Sequence, residues 1–99
     1  MAELVCERLI PVDHPAFAGH FPGRPILPGV LLLAEMMEAL SAAGQANEPM
    51  TIGAAKFLAP VGPGALLTIS VLGEPGSPRR FEIRHAERLV ASGSLGGPA

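Results

Sequence analysis

The stretch from Val30 to Ala43 reads VLLLAEMMEALSAA, and only Glu35, Glu38 and Ser41 in it are polar. Pro28-Gly29 opens this stretch and Gly44 follows it, a start signal and a stop signal for a helix. The pattern predicts one helix from the Pro28-Gly29 opening to about Ala43, apolar around most of its circumference. A helix of that kind is buried on most of its sides. The chain has 99 residues, enough for one domain (residues 1–99) and too few for two. In so small a unit, an α+β arrangement with a curved antiparallel sheet wrapped around the helix is the economical way to cover it.

The remaining sequence supplies strands for that sheet. Residues Leu4 to Val12 are apolar-rich, with Pro11 ending a short strand. Thr51 to Ala59 and Ala65 to Leu72 are two more, separated by Pro60-Val61-Gly62-Pro63-Gly64. After a break from Glu74 to Pro78, Arg80 to Arg84 and Arg88 to Leu95 flank a tight turn at Ala86-Glu87. The expected order is strand, loop, long helix, then an antiparallel meander, with a frayed tail at Gly96 to Ala99.

Between the first strand and the helix, Asp13 to Pro28 holds four prolines (Pro15, Pro22, Pro25, Pro28) and two glycines (Gly19, Gly23). No regular element tolerates that density. Phe17, Phe21, Ile26 and Leu27 nevertheless make the segment too apolar for a solvated linker, so it reads as a fixed loop of the kind that carries function.

Composition removes several function classes. Aromatic residues are 4% of the chain, with no Trp or Tyr, and the net charge is −2. Stacking platforms and a phosphate-binding charge excess are both missing, which counts against nucleic acid. Cys6 stands alone, so no intrachain disulfide forms; it reads as a small strand residue rather than a nucleophile, in a reducing cytoplasm. The longest apolar run is too short to span a membrane, and no signal-peptide core follows the charged N-terminus. Three scattered histidines with one cysteine define no metal site, and no dinucleotide or phosphate-loop motif calls for a cofactor.

The string AGHFPGRPILPGVLLLAEMMEAL, Ala18 to Leu40, resembles the (3R)-hydroxyacyl-[acyl carrier protein] dehydratase family, whose members carry G-H-F-P-x-x-P-x-x-P-G-V ahead of the central helix of a hotdog fold. Gly19, His20, Phe21, Pro22, Pro25, Pro28, Gly29 and Val30 match that pattern without a gap. IGAAKFLAPVGPGALLTISV is similar to the family's second strand pair. The resemblance implies a lyase that turns a 3-hydroxyacyl thioester into the 2-enoyl thioester and water, in fatty-acid, polyene or polyketide synthesis.

It also implies roles. His20 would be the base that takes the proton beside the carbonyl, a task suited to a side chain that titrates near neutrality. Gly29 would offer its N–H to the thioester oxygen at the positive end of the helix dipole. Phe21, Val30 and Ala34 would line the substrate. Taken without its neighbours, His20 reads as an ordinary loop histidine; His14 reads as a turn residue, and nothing around His85 suggests a role.

The family's acid stands five residues after the helix-opening glycine, and here that position is Ala34. Glu35 is adjacent but rotated by about 100°. Glu38 lies about one turn along the same face, so it ranks above Glu35 as a displaced acid, with Ala34 leaving it room. In an apolar tunnel, Glu38 would be held protonated by desolvation. The alternative is that both glutamates form the helix's narrow solvated stripe.

The implied partner is acyl carrier protein, and the implied assembly a homodimer or a dimer of dimers. Arg79, Arg80, Arg84 and Arg88 stand out in a mildly acidic chain; Arg80, with Arg24 of the loop, is a candidate carrier-protein contact. A solvated strand face interleaved with Glu82 and Glu87 explains the same charges. Two readings compete with dehydration: a hotdog thioesterase, and an accessory subunit that binds acyl thioesters without turning them over, which Ala34 favours.

Overall fold

A computed structural model describes residues 3–17, 27–45, 51–74 and 77–96. In chain order the elements are β1 (Glu3–Leu9), a 3-10 turn (Pro15–Phe17), α1 (Gly29–Ala42), β2 (Thr51–Phe57), β3 (Leu66–Leu72), β4 (Arg79–His85) and β5 (Arg88–Gly96). The strands form one antiparallel sheet in the order β1-β3-β4-β5-β2. His20, Phe21 and Arg24 lie outside the described residues, as do most of the proline-rich loop and the last three residues.

Alternation decides which side chains meet the helix. Along β3, Leu67, Ile69 and Val71 are buried, and the register sets Ile69 and Val71 beside Ile83 and Phe81 of β4. These inward residues pack with Leu32, Met36, Ala39 and Leu40, the buried stripe of α1. The spacing of that stripe is the i, i+4, i+7, i+8 pattern of one helix face. Each fully buried aliphatic side chain stabilises the fold by roughly 1.5–3 kcal/mol.

Gly93 on β5 sits opposite Phe81. A Cβ there would stand 2.4 Å from the Ala54 carbonyl oxygen and 2.7 Å from the Phe81 ring, so the glycine leaves room for both.

The helix ends as its sequence suggests. Gly44 has φ +72°, the Gly44 N–H donates to Ser41 O (3.0 Å), and the Gln45 N–H reaches back to Leu40 O (2.8 Å). This is the Schellman closure that glycine permits.

One expectation needs correction. The meander holds for β3, β4 and β5, but β2 does not join it beside β3; it pairs with β5 at the far edge of the sheet. The connection after β2 crosses to β3 instead of turning back, with only Val61 and Ala65 of it buried. Val61 is buried and accepts from the Leu27 N–H (2.7 Å), while Ile10 N–H donates to Ala65 O and Gly64 N–H to Ile10 O (both 2.8 Å). Pro60 and Pro63 keep that crossing irregular. The helix is buried or half-buried on most of its sides, with Leu31, Leu33 and Met37 packed against the core, and its exposed line runs through Val30 (67% exposed), Ala34 and Glu38.

Candidate active site

The N-terminus of α1 is the best-formed part of the site that the described residues contain. Pro28 caps it with φ −56° and ψ 142°, no side chain bonds the first turn, and the Leu31 N–H folds back to Pro28 O (2.9 Å). The N–H groups of Gly29 and Val30 therefore sit where a helix has no acceptors of its own and its dipole is positive.

Beside them lies a cavity of about 320 Å³ lined by Leu27, Gly29, Leu32, Phe57 and Leu58. Its walls are apolar, suited to an acyl chain with its polar end at the helix terminus. A Cβ on Gly29 would come within 2.9 Å of the Phe57 ring, which is a physical reason for glycine at this position beside any role in binding.

Phe57 and Leu58, about half exposed at 49% and 54%, form the mouth of this cavity. Sequence reasoning missed them. The available signal was a large aromatic and a large aliphatic residue side by side at a strand end, just before Pro60.

The two candidate acids are brought together further along the helix by Arg8. Arg8, on the inward face of β1 in register with buried Leu67, donates through Nε to Glu35 Oε1 (3.0 Å) and through Nη2 to Glu38 Oε2. Glu35 and Glu38 are three residues apart, about 60° around the helix, and one guanidinium fork spans both. The Glu35 side chain is 18% exposed and that of Glu38 62%. The apolar tunnel environment expected for Glu38 is thus not found: its carboxylate is solvated and ion-paired, and neither glutamate lines the cavity at Gly29. A carboxylate held this way accepts hydrogen bonds, and it can donate a proton only after leaving Arg8.

The pairing feeds back on β1. The hydrogen bond to Glu35 holds the Arg8 guanidinium above its ordinary range, with burial opposing and the two carboxylate charges adding to the effect. Burial pushes the Cys6 thiol up, partly offset by Arg8. A thiol shifted upward is not an activated nucleophile.

The basic stripe read from β4 and β5 also divides. Arg79 turns inward, where it is 4% exposed and donates to Gln45 Oε1 (2.7 Å). Arg84 bonds Glu82 at 3.1 Å. Arg80 and Arg88 remain at the surface. His14 occupies a turn, its N–H bonded to Pro11 O and its ring edge-on to Phe17 with centroids 6.0 Å apart. Among the described residues no cluster of His, Cys, Asp and Glu could hold a metal, and no helix is long and apolar enough to cross a membrane.

Five antiparallel strands packed around one long helix are the hotdog architecture, and comparison with solved structures agrees. The dehydratase heterocomplex ApeI:P from Xenorhabdus doucetiae matches with a TM-score of 0.78 at 24% identity, covering 95% of this chain and 85% of that one. Among curated proteins, the 3-hydroxyacyl-[acyl-carrier-protein] dehydratase FabZ of Rhizorhabdus wittichii is 39% identical over 65% of this chain and 47% of its own length. The FabZ of Chlamydia trachomatis serovar L2 is 33% identical over 93% of this chain and 69% of its own.

The chain spans about half the length of the first relatives it matches. The family model described as ApeI-like, ApeI dehydratase, matches residues 1–94. The chain belongs to the ApeI-like dehydratase family.

Proposed function

We propose that this protein dehydrates 3-hydroxyacyl thioesters carried on acyl carrier protein, in the cytoplasm, as a step of fatty-acid or polyene synthesis. The observation that carries the proposal is the family match across residues 1–94, which takes in the string from Gly19 to Val30. His20 removes the proton on the carbon beside the carbonyl, and the Gly29 N–H takes up negative charge growing on the thioester oxygen. The carbon–carbon double bond forms as the neighbouring carbon–oxygen bond breaks, and the hydroxyl leaves as water after accepting a proton. No metal or redox cofactor is needed for that balance.

The proton on the leaving hydroxyl is the open role in this chain. Glu38, and behind it Glu35, can fill it only by releasing Arg8. A second subunit offers another route. The β2 edge carries half-exposed Ile52 and Phe57, and the helix face with Val30 and Ala34 is open, so a homodimer, or a dimer of dimers, would cover both. Phe21, Val30 and Ala34 then contact the acyl chain, and Arg24 and Arg80 meet the acidic carrier.

Ala34 and the Arg8 clamp favour one further reading, an accessory subunit that binds acyl thioesters beside a catalytic partner. One assay separates these. The chain is incubated with a 3-hydroxyacyl carrier-protein thioester and the product mass is followed. Loss of one water is the expected result, and His20→Ala should abolish it; dehydration that survives His20→Ala would sink the mechanism. Release of free thiol identifies a thioesterase, and an unchanged thioester that still binds identifies the accessory subunit.

A further inference from the structure

Phe57 is the last residue of β2, and its register with buried Ala91 of β5 turns its side chain toward the helix side of the sheet. Because β2 is an edge strand, no further strand covers the ring, and it stays 49% exposed. On its packed side the ring lies against the backbone at the start of α1. A Cβ built on Gly29 would stand 2.9 Å from Cδ1 and Cε1 of the ring and 3.1 Å from Cγ. The ring therefore fills the space that a side chain at position 29 would take, beside the N–H assigned to the thioester oxygen.

The cavity that opens there, about 320 Å³, has buried Leu27 and Leu32 at its inner side. None of the described residues lining it carries a polar side chain. Such a cavity selects among acyl chains by shape, since it has no side chain with which to hydrogen-bond a substituent. It is also at the small end of ligand pockets, which run from about 300 to 1,000 Å³. A carbonyl oxygen bonded to the Gly29 N–H lies about 2.9 Å from that nitrogen. The carbon next to the carbonyl is two bonds from that oxygen, so it enters the cavity alongside the Phe57 ring. A hydrogen on that carbon passes the ring; a methyl group has to compete for space that the ring already fills.

We infer that Phe57 is a specificity-determining residue, the wall that admits straight acyl chains and rejects those with a methyl branch beside the carbonyl. The inference rests on the reading of this chain as a dehydratase of 3-hydroxyacyl thioesters and narrows what that site takes. The reaction that supplies its substrate then extends the chain by an unsubstituted two-carbon unit.

The test uses the whole chain and two pantetheine thioesters, 3-hydroxyhexanoyl and 2-methyl-3-hydroxyhexanoyl. The branched one is supplied as both epimers at the branched carbon, so that one of them presents its proton to the base. The readout is the ratio of the two kcat/KM values. The parent should favour the straight chain by at least about tenfold, the effect of one misfitting methyl group in an apolar pocket. Phe57→Ala should bring that preference under about threefold, with Phe57→Leu in between. Ile52→Ala trims the same strand outside the cavity and should keep the parent's ratio. The branch slows proton removal by itself, but equally in every variant, and a purely structural loss lowers both rates together; only a change in the wall changes the ratio.

If neither thioester is turned over, the dehydratase reading falls and binding decides the inference. Hexanoyl- and 2-methylhexanoyl-pantetheine, which have no hydroxyl to lose, are titrated against the same chains, and the ratio of their Kd values should shift in the same way. If Phe57→Ala does not fold, Phe57→Leu decides by the same ratio. A parent that treats the two chains alike or binds neither would overturn the inference. So would a preference that the Phe57 variants leave intact, or one that Ile52→Ala relaxes as far as Phe57→Ala does.

Discussion

Arg8→Met tests whether the two helix glutamates are structural or catalytic. Arg8 makes two bonds of unequal standing. The one to Glu35 joins partly buried groups at 3.0 Å, and a charge-assisted bond of that kind contributes about 1.5–3 kcal/mol. The one to Glu38 ends on a carboxylate whose side chain is 62% exposed, where screening leaves about 0.2–1 kcal/mol. Arg8→Met also leaves the Glu35 charge unpaired, so its cost should fall at about 2–3 kcal/mol. Glu35→Gln should cost about 1–2 kcal/mol, and Glu38→Gln less than about 1 kcal/mol.

The assay is urea unfolding of the parent, the three single variants and the two double variants that close a cycle on each pair, run beside dehydration rates. Coupling to Glu35 must exceed coupling to Glu38. Equal coupling, or a neutral Arg8→Met, would refute the clamp. A Glu38→Gln chain that is stable but has lost turnover makes Glu38 the acid and the resting ion pair its parking position. If both Gln variants keep their rates, the acid comes from elsewhere.

Gly93→Ala should cost about 2–3 kcal/mol in the same unfolding assay, because the new Cβ meets the Ala54 carbonyl oxygen at 2.4 Å and backbone cannot yield as a side chain can; a loss under about half of that would mean the strands separate freely. Ala86 turns the β4–β5 hairpin at φ 55°, so Ala86→Gly should stabilise by about 0.5–1 kcal/mol despite the added chain entropy, and a lower urea midpoint would contradict that. Burial raises the Cys6 thiol in the folded chain, so its contribution to stability is fully present below the unfolded thiol's pKa and is lost as pH rises through the higher folded value. Native Cys6 should accordingly alkylate more slowly than the unfolded chain at mildly alkaline pH, and Cys6→Ala should flatten the alkaline decline; a thiol that reacts at the unfolded rate would refute the shift.

Local signals carried most of the fold. Gly44 was readable as a helix stop because only a residue at ease with positive φ closes a Schellman turn, and Ala86-Glu87 because a short polar break between alternating runs makes a hairpin. The placement of β2 was not readable. Thr51–Phe57 alternates weakly, and its pairing with β5, like the burial of Val61 in the proline-glycine segment that follows, is a long-range feature that no local pattern carries.

Arg8 was missed for a related reason. In ELVCERL it reads as one more charge on an edge strand, and only the register that puts it beside Leu67 turns it toward Glu35. Arg79 and Arg80 show the same limit, since neighbours on a strand face opposite ways and no local pattern says which is inside.

The helix itself marks where apolar patterning stops being informative. Its sequence is apolar on nearly every side; the chain buries the stripe through Leu32, Met36, Ala39 and Leu40 and partly covers Leu31, Leu33 and Met37, while Arg8 occupies the flank at Glu35 and Glu38. Val30 and Ala34 remain outside, on a chain whose edge strand β2 is likewise exposed. Hydrophobic periodicity reports which side chains avoid water; it does not report whether their cover belongs to the same chain. A helix more apolar than its own sheet can bury is therefore what the proposed second subunit would explain. In that arrangement Ala34 is a small residue facing a partner, which provides room for a group that this chain does not supply.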